Sequence, residues 1–271
     1  FQGQLYRYRR CAGCGSSTID PLPSPNELAA IYDQGAYHDD FYAAAEEVTP
    51  SRLDHLLPHL EPGSRLLDFG AGNGHFLRLA AGRGFETEGI ELAASTRDAA
   101  RRNSGRPVLS LEEAVQEERR YGIIHLGDVL EHLPDPFGMM RRLEGLLLQD
   151  GIFFVEGPVE TNASLVHAAA HGVGSARARL GRKAVGGFPP YHLFQTDARA
   201  QRAFFEQRLG YEVRTFDVWE TGWPYRSKGR PGSAAARVRD LIARAAVGAA
   251  AVLRPAGFRL GNRFAALLRP A

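Results

Sequence analysis

A short strand, a turn with three glycines at alternate positions and a helix constrain this chain more than any other feature. The stretch is Leu66-Leu67-Asp68-Phe69-Gly70-Ala71-Gly72-Asn73-Gly74-His75-Phe76-Leu77. The run from Arg65 to Phe69 is mostly apolar and reads as a buried strand, and the apolar periodicity from Phe76 to Ala81 reads as a helix. Glycine is needed between them because a Cβ would hold a ligand off the backbone or forbid the turn's dihedrals. A unit of this kind lays bare backbone against a nucleoside-bearing ligand. About 20 residues further on, Gly89-Ile90-Glu91 ends a second strand in an acid, where a carboxylate can take the two hydroxyls of a ribose.

From residue 64 strands and helices alternate. The pattern predicts strands at Arg65–Phe69, Glu86–Ile90, Val108–Leu109, Gly122–Leu126 and Ile152–Glu156. It predicts helices at Gly74–Gly82, Ala93–Arg102, Leu111–Gln116 and Asp135–Leu147. Such alternation implies right-handed crossovers and an α/β fold with a parallel sheet covered on both faces. A helix over Phe194–Leu209, a strand over Tyr211–Glu220 and a last strand over Arg263–Leu268 complete the frame. Upstream, Asn26 can cap a helix over Glu27–Tyr32, and a further helix is expected over Pro50–Leu60. Residues 4–25 read as irregular.

The glycine pattern departs from the dinucleotide fingerprint, which wants its third glycine where this chain has His75. The spacing here is D-x-G-x-G-x-G. With Ile123-Ile124-His125-Leu126-Gly127-Asp128-Val129-Leu130-Glu131-His132-Leu133-Pro134-Asp135-Pro136 and Leu148-Gln149-Asp150-Gly151-Ile152-Phe153-Phe154-Val155-Glu156, it resembles the class I S-adenosylmethionine-dependent methyltransferases. The branch it resembles includes ubiquinone-biosynthesis O-methyltransferases and many sugar and natural-product methyltransferases. The resemblance runs over about residues 26–225. It implies a Rossmann-like, seven-stranded, mostly parallel sheet of order 3-2-1-4-5-7-6, with the last strand antiparallel, helices on both faces and an N-terminal helical cap.

The same resemblance implies roles. Gly70, Gly72 and Gly74 would line the methionine and ribose of S-adenosylmethionine, and Asp68 would sit by its amino group. Glu91 would take the ribose hydroxyls and Leu92 one face of the adenine. Leu111 and Glu112 would meet the adenine edge, and Gly127 and Asp128 the methionine part. S-adenosylhomocysteine would be the product. His132 and His192 are candidate general bases, needed only if the acceptor is a hydroxyl or an acidic carbon; a loop-packing role is the alternative for His132. Tyr37, Tyr42, Tyr191 and Arg177 are candidate acceptor-binding residues. His125, inside an apolar strand, reads as a buried and satisfied histidine, and His75 as a cap on the helix start.

Domain boundaries follow. Residues 1–3 resemble the remnant of a cleaved tag. Residues 4–25 resemble what is left of a zinc ribbon, with Cys11-Ala12-Gly13-Cys14-Gly15 ahead of the proline-rich Pro21–Pro25 linker. Zinc wants four soft ligands, and Cys11 and Cys14 are two, so metal binding would need an upstream cysteine pair. Two free thiols in a glycine turn are the alternative. Residues 26–60 form the cap. Residues 61–271 form the catalytic core, with inserts at 158–190 and 226–256.

Composition narrows the partners. The 271 residues, 44% hydrophobic and 24% charged with net charge +2, describe an ordinary globular chain. Nothing in it calls for nucleic acid, and two cysteines suit a reducing, cytoplasmic setting. No apolar run reaches the ~18 residues of a membrane span. From residue 226 onward ten basic residues face one acid, Asp240. The alanine-rich helix expected over Ser233–Leu253 could therefore lie on an anionic membrane, form a homodimer face or cover the sheet, packing being the expected role. The basic run Arg177–Lys183 could hold an anionic or carrier-linked small-molecule acceptor, or be a solvated loop. The expected activity is methyl transfer to a small-molecule or glycan-precursor acceptor, at oxygen. The alternatives are an NAD(P)-binding oxidoreductase and a non-catalytic cofactor-binding scaffold.

Overall fold

The computed structural model describes residues 4–32, 64–179, 191–222, 234–253 and 260–271. The strands are β1 (Arg7–Arg10), β2 (Ser17–Asp20), β3 (Arg65–Phe69), β4 (Glu86–Ile90), β5 (Val108–Leu109), β6 (Tyr121–Gly127), β7 (Leu147–Pro158), β8 (Phe194–Gln195), β9 (Glu212–Trp219) and β10 (Arg263–Arg269). The helices are α1 (Pro25–Tyr32), α2 (His75–Gly82), α3 (Ala94–Ser104), α4 (Leu111–Gln116), α5 (Pro136–Glu144), α6 (Leu165–Arg179), α7 (Ala198–Ala203) and α8 (Ala234–Leu253). The chain divides into two compact units, neither continuous in sequence. One holds residues 1–24, 157–203 and 216–265; the other holds 25–156, 204–215 and 266–271.

The large sheet has the order β5-β4-β3-β6-β7-β10-β9. Counted along its own strands this is the expected 3-2-1-4-5-7-6. The β5–β4, β4–β3, β3–β6 and β6–β7 pairs are parallel. Parallel strands covered on both faces need apolar residues on both, and Leu66, Leu67, Ile90, Val108, Ile123, Ile124, Leu126, Phe153 and Val155 are all buried. Local chemistry sets the helix starts. Ser110 and Glu113 cap α4 reciprocally, and Asp135 accepts from the Gly138 N–H with Pro136 opening α5. Helix α5 stops at Glu144, short of the expected Leu147, because Leu147 already pairs with Tyr121 as the start of β7.

Outside the large sheet two expectations are corrected. Residues 4–25 hold a hairpin, β1 against β2, and β8 adds to β2 through Ser17↔Gln195 and Thr18↔Phe194. The helix expected over Phe194–Leu209 begins only at Ala198. Phe194 and Gln195 are in β8, and the Asp197 carboxylate accepts from the Ala200 N–H at 2.7 Å as a cap. Beyond α7 the chain widens into a single π-turn over Phe204–Arg208, closed by Leu209 N–H to the Phe204 carbonyl at 3.0 Å. The insert after β7, to which the sequence pattern assigned no element, carries α6. Its first turn is held by Glu220, which accepts from the Leu165 and Val166 N–H groups, both at 3.2 Å, and from the Ser164 hydroxyl at 2.6 Å.

Helix α8 packs on α6. Its alanines Ala243, Ala246 and Ala250 face inward, while Val238, Leu241 and Val252 are exposed. The alanine side is therefore the protein-facing side. Among the described residues no helix is long and apolar enough to cross a membrane.

Candidate active site

The glycine turn hangs from the neighbouring strand. The Ile90 carbonyl, at the end of β4, accepts from both the Gly70 and Ala71 N–H groups, at 2.8 and 3.0 Å. Gly70, Gly72 and Gly74 have φ of 80°, 52° and 79°. A Cβ on Gly70 would fall 2.6 Å from a Val129 methyl, and one on Gly74 2.7 Å from the Ala100 carbonyl. These two glycines thus answer to packing as well as to the left-handed turn. Asn103 steadies the turn by donating to the Asn73 carbonyl at 3.2 Å. The expected cap at His75 is corrected. Asn73 Oδ1 accepts from the His75 N–H at 3.1 Å, and the His75 ring accepts from Arg78 at 3.1 Å.

Glu91 is tied to that turn. Its Oε2 accepts from the Gly72 N–H at 3.0 Å, and its Oε1 from the Leu92 and Ala93 N–H groups at 2.8 and 3.3 Å. Arg97 donates to the Glu91 and Leu92 carbonyls at 2.8 and 2.7 Å, which fixes the strand end. Leu92 beside it is 67% exposed, an apolar surface open to a flat ring. Of the other positions, Leu111 is buried in the core and Glu112 pairs with Arg142 at 3.3 Å. Asp128 holds a left-handed backbone, φ 55°, that a non-glycine residue adopts at a cost of about 1–3 kcal/mol, and its N–H donates to the Glu156 carbonyl at 3.0 Å.

Beneath the turn lies a buried cluster that spacing did not announce. Asp68 is in register with His125, and His125 with Phe154. Side chains alternate along a strand, so Asp68, His125, Phe154 and Glu156 point to one face. His125 Nδ1 lies 2.7 Å from Asp68 Oδ1 and its Nε2 3.3 Å from Glu156 Oε1. The ring stacks on Phe76 at 3.8 Å and on Phe154 at 5.2 Å between centroids. Burial alone would push the imidazole down. The bonds to Asp68 and Glu156, and their charges, outweigh it and push the group up to about 9. Gly127 leaves room for this ring, since a Cβ there would fall 2.7 Å from His125 Cε1. The one signal in the sequence was a histidine inside an apolar strand.

His132 ends a short 3₁₀ turn, Leu130–His132, with its Nε2 3.9 Å from Glu131. His192 belongs to the other unit. Its Nδ1 lies 2.9 Å from Glu160 Oε1, and its carbonyl accepts from the Tyr8 hydroxyl at 2.6 Å. Burial, then the Glu160 charge, pushes the Tyr8 phenol up to about 12. Glu160 had no sequence signal. Tyr191 is half-buried, Arg177 falls within α6, and Tyr37 and Tyr42 lie outside the described residues.

Cys11 and Cys14 are exposed, free thiols in the turn between β1 and β2. The Cys14 and Gly13 N–H groups and the neighbouring thiol draw the Cys11 thiol down. That suits a thiolate ligand, but the pair is half of a tetrahedral set. Among the described residues neither cysteine joins a cluster of three or more metal-ligating side chains.

A sheet of this order, a glycine turn at the end of its first strand and an acid at the end of its second define a nucleoside-cofactor α/β domain. The family model described as "Methyltransferase domain" matches residues 38–214, more than half of the chain. The chain belongs to this family, the class I S-adenosylmethionine-dependent methyltransferases. Curated relatives include a ubiquinone biosynthesis O-methyltransferase of Actinobacillus pleuropneumoniae, 27% identical over 121 residues, covering 40% of this chain and 52% of the relative. The enzyme of the same name from Vibrio vulnificus is 24% identical over 144 residues, covering 48% and 61%. The chain thus spans between half and two thirds of these relatives' length. Similar solved folds include a SAM-dependent methyltransferase from Archaeoglobus fulgidus, with TM-score 0.53 and 16% identity over 83% of this chain and 94% of that one. Magnesium protoporphyrin IX methyltransferase from Synechocystis PCC 6803 gives TM-score 0.52 and 14% identity over 91% and 94%.

Proposed function

We propose that this chain transfers the methyl group of S-adenosylmethionine to an oxygen of a small-molecule or glycan-precursor acceptor. The observation that carries the reading is the bond from the Gly72 N–H to Glu91, which joins the bare backbone turn to the ribose-gripping acid. The oxygen acceptor draws support from the named activity of the curated relatives. His75, where a dinucleotide turn has its third glycine, argues against a nicotinamide.

The residues present fit such a cofactor. Asp68 lies at the end of β3 to meet an ammonium, and Gly70, Gly72 and Gly74 offer backbone to the methionine and ribose. Glu91 keeps acceptor capacity for hydroxyls, Leu92 offers apolar cover, and Gly127 and Asp128 complete the methionine side. When bound, S-adenosylmethionine supplies an electrophilic methyl on a sulfonium, which is attacked in line. The protein's task is to hold the reactants collinear and to exclude water. Carboxylates near the positive donor favour it.

Acceptor deprotonation falls to a histidine. His132 follows the Asp128 turn in the chain. His192, whose Nδ1 lies 2.9 Å from Glu160 Oε1, is the other candidate. Tyr191, Arg177, Tyr37 and Tyr42 are proposed to contact the acceptor from their places in the sequence. An anionic or carrier-linked acceptor would suit Arg177.

Calorimetry with S-adenosylhomocysteine tests the cofactor site. The native protein should bind it and not NADH, and Gly72→Arg should bind neither. Unchanged affinity in Gly72→Arg would overturn the placement. Turnover of labelled S-adenosylmethionine with acidic-hydroxyl acceptors tests the reaction. His192→Ala should lower kcat about 10²–10⁴-fold if His192 is the base, and an equal loss in His132→Ala alone would transfer the role.

A further inference from the structure

The cluster of Asp68, His125 and Glu156 is more than a satisfied core. Carboxylates only accept, and each ring nitrogen of His125 faces one, at 2.7 and 3.3 Å. A neutral imidazole has one donor and one lone pair, so it can serve only one of them. The geometry calls for an imidazolium. The charged groups that reach His125 are Asp68 from β3 and Glu156 from β7, while α2 and β7 turn the rings of Phe76 and Phe154 on it. Gly127 leaves it space on its own strand. The ring is thus held by stacking and has little freedom to turn away.

We propose that His125 is a positioning residue for the methionine end of the cofactor: as an imidazolium locked between two carboxylates, it fixes Asp68 in the orientation that receives the ligand's ammonium. The inference rests on the cofactor placement proposed above. With one proton lost, either Asp68 or Glu156 faces a lone pair and must move or take up a proton. Cofactor affinity therefore follows the titration of His125. The upward shift of that group to about 9 places the change above neutrality.

The test is calorimetry with S-adenosylhomocysteine from pH 7 to 10 on the whole chain, beside NMR titration of the His125 ring in the ligand-free protein. Native affinity should fall about tenfold across that range, in step with the ring's titration. H125Q should bind about tenfold more weakly at pH 7 and lose the fall, while kcat changes far less than KM. E156Q separates the roles, because its amide can donate to a neutral ring whose other nitrogen still donates to Asp68. It should keep affinity at pH 7 within about threefold and lose most of the fall. If H125Q does not fold, the native and E156Q profiles decide. Equal affinities in H125Q and the native chain, or a native slope that persists in E156Q, would overturn the inference and leave the cofactor site standing. No binding by the native chain at any pH would remove both.

Discussion

Glu88 and Asp68 are buried acids on neighbouring strands of one sheet, and their partners differ in kind. Glu88, on β4, is met by Arg65 at 3.1 Å, Arg119 at 3.0 Å and the Tyr121 hydroxyl at 2.7 Å. Two of those partners carry permanent charge, and the third is held above the ordinary phenol range by burial and by Glu88 itself. Asp68, on β3, is met by a histidine that a second acid shares. The first network pairs its acid with two guanidinium groups. The second depends on one proton. A carboxylate that only has to hold the sheet together does well with arginine. One in the strand that leads into the glycine turn is joined to a group that can change.

The largest effect on this contrast should come from Glu88→Ala. It leaves the fully buried Tyr121 hydroxyl without its acceptor, while Arg65 and Arg119, 33% and 35% exposed, recover water. The loss should be about 2–3 kcal/mol of stability, read by urea unfolding. Affinity for S-adenosylhomocysteine should hold. A fall in affinity matching the loss of stability would mean that the two networks act as one.

Next comes the pH dependence of folding. His125 is raised from 6.5 to about 9, so its contribution is complete below about pH 6.5 and is lost as pH rises through about 9. Thermal unfolding of the ligand-free native chain should show the midpoint falling across that window. Glu88→Gln should keep the slope at a lower midpoint, and H125Q should abolish it. A slope that stays in H125Q would assign it to another group and erase the contrast.

Glu91→Ala sharpens the contrast from the ligand's side. It removes a charged acceptor that the turn already holds, so affinity for S-adenosylhomocysteine should weaken by about 1–3 kcal/mol. The pH slope of stability should stay as in the native chain, because Glu91 does not touch His125.

The two networks were unequally legible in the sequence, and so was the fold. Strands β3, β4 and β5 begin and end where local pattern places them, because apolar runs and glycine punctuation are features of neighbours in the chain. Asp68 and Glu91 stood out as candidates because their distance from the glycines is fixed along the backbone. His125 with Glu156, and Glu88 with Arg119, meet only through the register of adjacent strands, which spacing does not encode. The hairpin β1–β2 was hidden for the same reason. Three arginines and a tyrosine in β1 carry little pattern, and β8, which completes that sheet, lies far along the chain. The helix expected from Phe194 failed because a cap at Asp197 and a distant strand partner outweigh local periodicity.

The smallest expected effect lies at the rim. Leu92 is an apolar side chain left two-thirds in water, so it adds little to folding, and Leu92→Ser should change stability by no more than about 0.5 kcal/mol. If it covers the adenine, the same change removes apolar contact worth about 1 kcal/mol in binding, a fivefold to tenfold loss for S-adenosylhomocysteine. Methylthioribose-type ligands that lack the base should not notice the substitution. Equal losses for both ligands would place Leu92 over the sugar instead. No loss for either would leave Glu91 and the glycine turn to hold the nucleoside without it. The polar contacts that join Glu91 to Gly72 would then be the whole of the grip on that side, and Glu91→Ala should cost correspondingly more.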